Sequence, residues 1–227
     1  VIVGGNDVTH RVRPTTSVRL LDEAVRRLRD AGAAVVVGTC PDLGTVEPWA
    51  RDVLSDRGIL GTTVLLFEPD ADGIHDPNGW RTECLASVTV HDLPPTAQYV
   101  AGAHVKLWQE LGLLDRPYDE ALAAQQREVA IWVDVLRAEG LLAPTGTPSP
   151  DQITVAMHRF TSRAPSRLLC LSLVDGVGDR RTQNQPGTDQ QYPNWRFPLT
   201  DPQGRPVLIE DLVQSDLLRA LVRSLSR

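Results

Sequence analysis

Cys84-Leu85-Ala86-Ser87-Val88-Thr89-Val90 runs without a break into His91-Asp92-Leu93-Pro94-Pro95-Thr96. The first seven residues form a short run of strand length, of the kind found where a strand is buried on both faces of a parallel sheet. His91 and Asp92 are polar, the two prolines end the extended run, and a helix is expected over residues 96–111. Strand, polar turn and helix in that order form the repeating unit of a parallel α/β fold.

The same alternation extends in both directions. Before it lie an expected strand at residues 62–67 and a helix opened by Glu47-Pro48 and closed by Gly58. Further back, Ala33–Val37 is a continuous apolar run, ending in three β-branched valines, that is expected to form a buried strand. A helix precedes it, with Thr15, Thr16 and Ser17 as N-cap candidates, Val18, Leu21, Val25 and Leu28 at helical spacing, and Gly32 at its end. Val1-Ile2-Val3 and a turn at Gly4-Gly5-Asn6-Asp7 open the sequence. After residue 96, helices are expected at 96–111, 118–139 and 151–162, the last announced by Ser149-Pro150. A strand at 167–174, an irregular segment at 175–206 and a helix at 209–225 follow. In such folds ligands gather at the C-terminal ends of the strands. Three polar patches sit there: Asp42 with its neighbours, His91-Asp92, and Asp175 onward.

Composition narrows the function. The 227 residues are 41% hydrophobic and 23% charged, with 17 Gly and 17 Pro, and can fill one sizeable core or two small ones. A net charge of −6 with no Lys/Arg run argues against a general hold on nucleic acid. No apolar stretch approaches the ~20 residues of a membrane span, and no signal peptide is visible. Cys40, Cys84 and Cys170 are scattered thiols without a CxxC pair, as expected of reduced cysteines in a cytoplasmic chain and not of disulfides or zinc. Neither nucleic acid nor membrane is an expected partner, and the oligomeric state is not legible. Lys106 is the single lysine among 23 Lys and Arg residues, a bias that suggests a GC-rich genome. The sequence starts at Val1 and its one methionine is Met157, so a chain without its front is expected.

His91-Asp92 at a strand end reads in two ways. An aspartate there serves as a catalytic carboxylate beside a histidine that binds hydroxyls, or both residues cap the turn and satisfy loop amides. The longer string Thr89-Val90-His91-Asp92-Leu93-Pro94-Pro95-Thr96 resembles a block of the 4-α-glucanotransferases (amylomaltases). So do Asp42-Leu43-Gly44-Thr45-Val46-Glu47-Pro48-Trp49, Gly58-Ile59-Leu60-Gly61-Thr62 running to Phe67-Glu68, Asn184-Gln185-Pro186-Gly187-Thr188, and Tyr192-Pro193-Asn194-Trp195-Arg196. The resemblance covers about residues 42–227, with the blocks in the family's order.

That resemblance implies a (β/α)₈ barrel and a retaining transfer of α-1,4-glucan segments between malto-oligosaccharides, without an organic cofactor; no metal cluster is evident either. Such a reaction uses a carboxylate nucleophile and a second carboxyl as acid/base. The family adds a third carboxylate that stabilises the transition state. That role maps onto Asp92, with His91 and Asn184 as substrate ligands. Trp195 and Arg196 are read as structural, Trp80 and Trp108 as core. The family's acid/base glutamate precedes Asp-Leu-Gly, where this sequence has Pro41, which has no proton to give. The nucleophile is expected on an earlier strand. With both groups missing, no turnover is expected. About six strand candidates against the eight of a closed barrel predict a partial, barrel-like parallel sheet.

The front end resembles another family. Val3-Gly4-Gly5-Asn6-Asp7, the helix around Leu20–Val25 and the run Val35–Val46 are similar to the SGNH/GDSL hydrolases. By that resemblance Asn6 is a possible oxyanion-hole donor. Asp72-Gly73-Ile74-His75 has the spacing of that family's late Asp-x-x-His pair but lies inside the glucanotransferase-like region. Both families write Asp-Leu-Gly-Thr-Val, so a chimera joined at Asp42–Val46 is expected, with an SGNH-like βαβ start at residues 1–45 and the C-terminal part of a glucanotransferase barrel at 46–227. Three readings stand: an inactive glucanotransferase-related chain, an SGNH-type esterase fragment, and a non-catalytic α-glucan-binding or structural remnant.

Overall fold

The computed structural model of the chain describes residues 14–32, 55–69 and 73–225. The chain divides into two compact units, residues 1–62 and 63–227. In the first, α1 (Pro14–Asp30) carries the expected amphipathic helix. Arg27 and Arg29 in its last turn suit the negative end of the helix dipole, and Gly32, at φ 80°, turns the chain out of it. Asp22 pairs with Arg26, and Glu23 with Arg27, one turn apart on the exposed face. The strands expected at residues 1–3 and 33–37, Asn6, Pro41, the join at residues 42–46 and Asp72 lie outside the described residues.

β1 (Gly61–Val64), β2 (Cys84–Ser87) and β3 (Leu168–Cys170) form a sheet in that order. β2 and β3 run parallel, with Leu85 opposite Leu168, Ala86 opposite Leu169 and Ser87 opposite Cys170. Parallel neighbours require a crossover. Here it consists of α2 (Thr96–Val100), α3 (Ala103–Glu110), α4 (Tyr118–Ala138) and α5 (Pro150–Thr161). Beyond β3 come α6 (Leu173–Val177), α7 (Ile209–Leu212) and α8 (Asp216–Ser224). This is an α/β fold with a parallel, barrel-type sheet, as the sequence predicts.

Several elements are shorter than expected, each for a local reason. β2 ends at Ser87 because Thr89 turns its hydroxyl onto the carbonyl of Pro94, 3.0 Å away, and folds the loop back. The strand expected at 62–67 tightens into a 3₁₀ turn at Leu65–Phe67. The helix expected at 96–111 breaks at Gly102, whose φ is 68° and whose missing Cβ would lie 3.2 Å from Leu122 Cδ1 on α4. The strand expected at 167–174 keeps only Leu168–Cys170, and α6 takes over from Leu173. The terminal helix splits at Ser215, whose Oγ accepts from Leu218 N at 3.2 Å to start α8 and donates to Gly176 O at 2.9 Å.

The core lies where α4 and α5 meet the sheet. Trp132 and Leu136 of α4, Ile153, Met157 and Phe160 of α5, Ala86 and Val88 around β2, and Tyr99 of α2 pack together with Leu65 and Trp80. Trp132 and Phe160 meet edge to face with ring centroids 6.1 Å apart. α5 starts as its sequence announces: Ser149 Oγ accepts from Gln152 N, Gln152 Oε1 accepts from Ser149 N, and Pro150 occupies the first turn. The packed helices hold the loops after β2 and β3 beside one another.

Candidate functional site at the end of the parallel strands

The loop after β2 is tied at both ends. Leu93 N bonds Val90 O at 3.0 Å, which leaves His91 and Asp92 at the tip of a turn. At the far end Thr96, first residue of α2, donates its backbone N–H to Asp175 Oδ1 at 2.8 Å and its hydroxyl to Asp175 Oδ2 at 2.7 Å. Asp175 is 1% exposed, and His158 Nε2 on α5 lies 3.5 Å from its Oδ2. His158 Nδ1 faces Thr154 O at 2.9 Å. A carboxylate from α6, the short helix after β3, thus caps the helix that follows β2. Asp175, one of the polar patches expected at a strand end, is a buried tie and not a solvent-facing group.

The segment after α6 is closed at its base by a second buried carboxylate. Asp179 accepts from Arg181 Nε at 3.0 Å, from Arg181 Nη2 at 2.7 Å and from Thr200 N at 3.0 Å. Arg181 also donates to Pro198 O and to Thr200 Oγ1, and its guanidinium lies 4.8 Å from the Phe197 ring centroid. The bond to Asp179 raises the Arg181 pKa above its ordinary value. Burial pushes the Tyr192 phenol up, and its hydroxyl donates to Thr182 O at 2.6 Å. Thr182 in turn donates to Gln98 Oε1 on α2 at 2.7 Å. The loop therefore projects from a fixed base toward the turn at His91-Asp92.

There the sequence-derived site residues come together. Asn184 Nδ2 donates to Asp92 Oδ1 at 2.6 Å, and Asn184 N bonds His91 O at 3.3 Å. His91 Nε2 lies 3.3 Å from the same Asp92 oxygen, with the His91 and Asp92 side chains 55% and 46% exposed. Both nitrogens approach Oδ1, and among the described residues none donates to Oδ2. The cluster faces solvent. Of the proposed site residues, Asn6 alone lies outside the described residues.

Trp195 joins the cluster, against the expectation that it is structural. Its ring centroid is 4.9 Å from that of His91 at an interplanar angle of 48°, and the residue is 62% exposed. Nothing in its sequence context separates an exposed tryptophan from a buried one, because the loop that presents it is closed by the distant Asp179 and Thr200. Trp108 is half-buried and donates Nε1 to Gln185 Oε1 at 3.1 Å, which supports the Asn184-Gln185-Pro186-Gly187 turn from behind. Trp80 lies in the core as expected. Among the described residues no group of three or more His, Cys, Asp or Glu could hold a metal ion, and no helix is long and apolar enough to cross a membrane.

Known proteins share both the sequence and this architecture. The profile of glycoside hydrolase family 77, described as 4-alpha-glucanotransferase, matches residues 11–203. A 4-alpha-glucanotransferase of Mycobacterium tuberculosis is 53% identical over 184 residues, 79% of this chain and 25% of that protein. The crystal structure of amylomaltase from Corynebacterium glutamicum superposes with a TM-score of 0.74 at 38% identity, covering 87% of this chain and 29% of that one. The chain thus spans about a quarter of the length of the curated relatives it matches. Separately, a GDSL-like esterase of Mycobacterium tuberculosis is 50% identical over 46 residues, 20% of this chain and 15% of that protein. The profile match, the M. tuberculosis relative and the superposition agree on one family, and the chain belongs to the 4-alpha-glucanotransferases of glycoside hydrolase family 77.

Proposed function

We propose that this 4-α-glucanotransferase-related chain holds an α-1,4-glucan or malto-oligosaccharide at the Asp92 turn and keeps there the carboxylate that stabilises a retaining 4-α-glucanotransfer, without itself carrying the transfer out. The observation that carries the reading is the convergence of Asn184 and His91 on Asp92 Oδ1, at 2.6 and 3.3 Å, in a solvent-facing cluster at the end of the parallel strands. With Oδ1 occupied, the carboxylate is fixed in orientation and Oδ2 is free to accept hydroxyls of a glucosyl ring. As the glycosidic bond breaks, positive charge develops on the ring, and a fixed carboxylate close by is worth more to that state than to the neutral ground state. His91 and Asn184 bind sugar hydroxyls beside it.

The sequence as it stands is proposed not to turn over. Leaving-group departure needs a protonated carboxyl, and Pro41 stands where the family places its glutamate. Incubating the purified chain with maltotriose and resolving the products by chromatography tests this: no glucose and no longer malto-oligosaccharides are expected. Conversion that disappears in Asp92→Asn would overturn the inactivity and support the site. Scattered cysteines without a CxxC pair favour a cytoplasmic setting.

A second reading is favoured by the 46-residue match to a GDSL-like esterase. On this reading residues 1–45 are an esterase-derived start joined at Asp42–Val46 to the glucanotransferase part at 46–227, and Asn6 is an oxyanion-hole donor. Hydrolysis of a short-chain nitrophenyl ester, abolished in Asn6→Ala, is the result it expects. The absence of such hydrolysis leaves the glucan reading alone. A third reading is a non-catalytic α-glucan-binding or structural remnant, which binds maltodextrins weakly or not at all and never transfers.

A further inference from the structure

Trp195 combines two features that rarely coincide. Its φ is 62°, and among the described residues it is the one non-glycine in that left-handed region, where a Cβ crowds the backbone. The residue is also 62% exposed, so burial of the indole does not offset the strain. The turn enforces the conformation: Trp195 N bonds Gln183 O at 2.9 Å, Arg196 N bonds Pro193 O at 3.2 Å, and Asn194 N bonds Tyr192 O at 2.8 Å. Asn194 then locks the turn to the neighbouring loop, accepting from Gln185 N at 2.7 Å and donating to Thr188 Oγ1 at 3.0 Å. Glycine would occupy this position without strain. Strained residues that the surroundings hold in place cluster at ligand sites.

We infer that Trp195 is a saccharide-stacking platform, with His91 as its inner edge, for the glucosyl unit next to the one held by Asp92 and Asn184. This platform rests on the proposed glucan site and adds a residue to it. A pyranose presents flat C–H faces and a rim of hydroxyls; an exposed indole takes the face while the carboxylate and amide take the rim. The ring lies 4.9 Å from His91, and His91 is 3.3 Å from Asp92, so the aromatic surface and the polar acceptors are contiguous. The turn's backbone bonds and Asn194 fix the ring's position before the ligand arrives, which lowers the ordering cost of binding.

The test is isothermal titration of maltoheptaose into the full chain and its Trp195→Gly and Trp195→Phe variants, with urea unfolding of each. Trp195→Gly is expected to bind about tenfold more weakly while its urea midpoint equals or exceeds that of the parent, because the left-handed strain is relieved. Trp195→Phe, which keeps an aromatic face, is expected to bind within about threefold of the parent. Parental affinity in Trp195→Gly, with binding still lost in Asp92→Ala, would overturn the platform and leave the glucan site standing. A fall in urea midpoint in Trp195→Gly would overturn it too, by making the ring structural. If the parent binds no maltoheptaose, both the platform and the site reading fail.

Discussion

Asn184 donates to Asp92 Oδ1 at 2.6 Å across 92 positions of sequence. One hydrogen bond thereby links the turn after β2 to the loop that follows α6, and it forms only because both loops have fixed bases. Thr96 is held by Asp175, and Arg181 with Thr200 by Asp179. The pair is solvent-facing, so it contributes little to folding and much to the orientation of the carboxylate. In Asn184→Ala, unfolding by urea is expected to show a loss of no more than about 1 kcal/mol, while maltoheptaose affinity falls about tenfold. A large stability loss with unchanged affinity would make the bond a structural latch.

Asp175 is the reverse case. It is 1% exposed, accepts two bonds from Thr96 and faces His158. Asp175→Asn puts an amide donor where one of the two acceptors of Thr96 stood, leaving buried donors facing one another, so a loss of about 1–3 kcal/mol is expected in urea unfolding. A loss under about 0.5 kcal/mol would show that the surroundings supply another partner.

His104 gives the fold a pH dependence of known sign. It is 2% exposed, and desolvation lowers its pKa from 6.5 despite the hydrogen bond with Gln125, which acts in the opposite direction. The unfolded chain binds the proton first, so stability is full above the unfolded value near 6.5 and is lost as pH falls toward the depressed folded value. Urea midpoints measured from pH 7.5 to 5 are expected to fall in the parent and to fall less in His104→Gln. Equal slopes would remove His104 as the cause.

α4 places two apolar neighbours in opposite settings: Trp132 is 1% exposed and Ile131 is 55% exposed. Trp132→Ala opens a cavity beneath Phe160 and is expected to cost about 4 kcal/mol, whereas Ile131→Ala is expected to change stability by about 0.5 kcal/mol or less. Equal losses in thermal or urea unfolding would contradict the packing of α4 on α5.

The sequence revealed what depends on neighbours in the chain. Alternating strands and helices specify the α/β class, Ser149-Pro150 marks the start of α5, and His91-Asp92 and Asn184 stand in short motifs with recognisable chemistry. What it hid depends on distant residues. Gly102 interrupts an otherwise continuous helix at a φ of 68°, where Leu122 passes within 3.2 Å of where a Cβ would be. Asp175 looks like an open carboxylate at a strand end until Thr96, 79 positions away, is seen to donate to it twice. Trp195 is outward-facing because Arg181, Asp179 and Thr200 close the loop beneath it. Periodicity carries no information on any of these.

Calorimetric titration of the full chain and its Asp92→Ala variant with maltoheptaose, with a β-1,4-linked cello-oligosaccharide as the comparison ligand, decides whether the Asp92 turn is an α-glucan site. The α-linked sugar is expected to bind the parent, to lose at least about tenfold in affinity for Asp92→Ala, and the β-linked sugar is expected not to bind. Equal affinity of parent and variant for maltoheptaose, or no binding by the parent, would contradict an α-glucan site there.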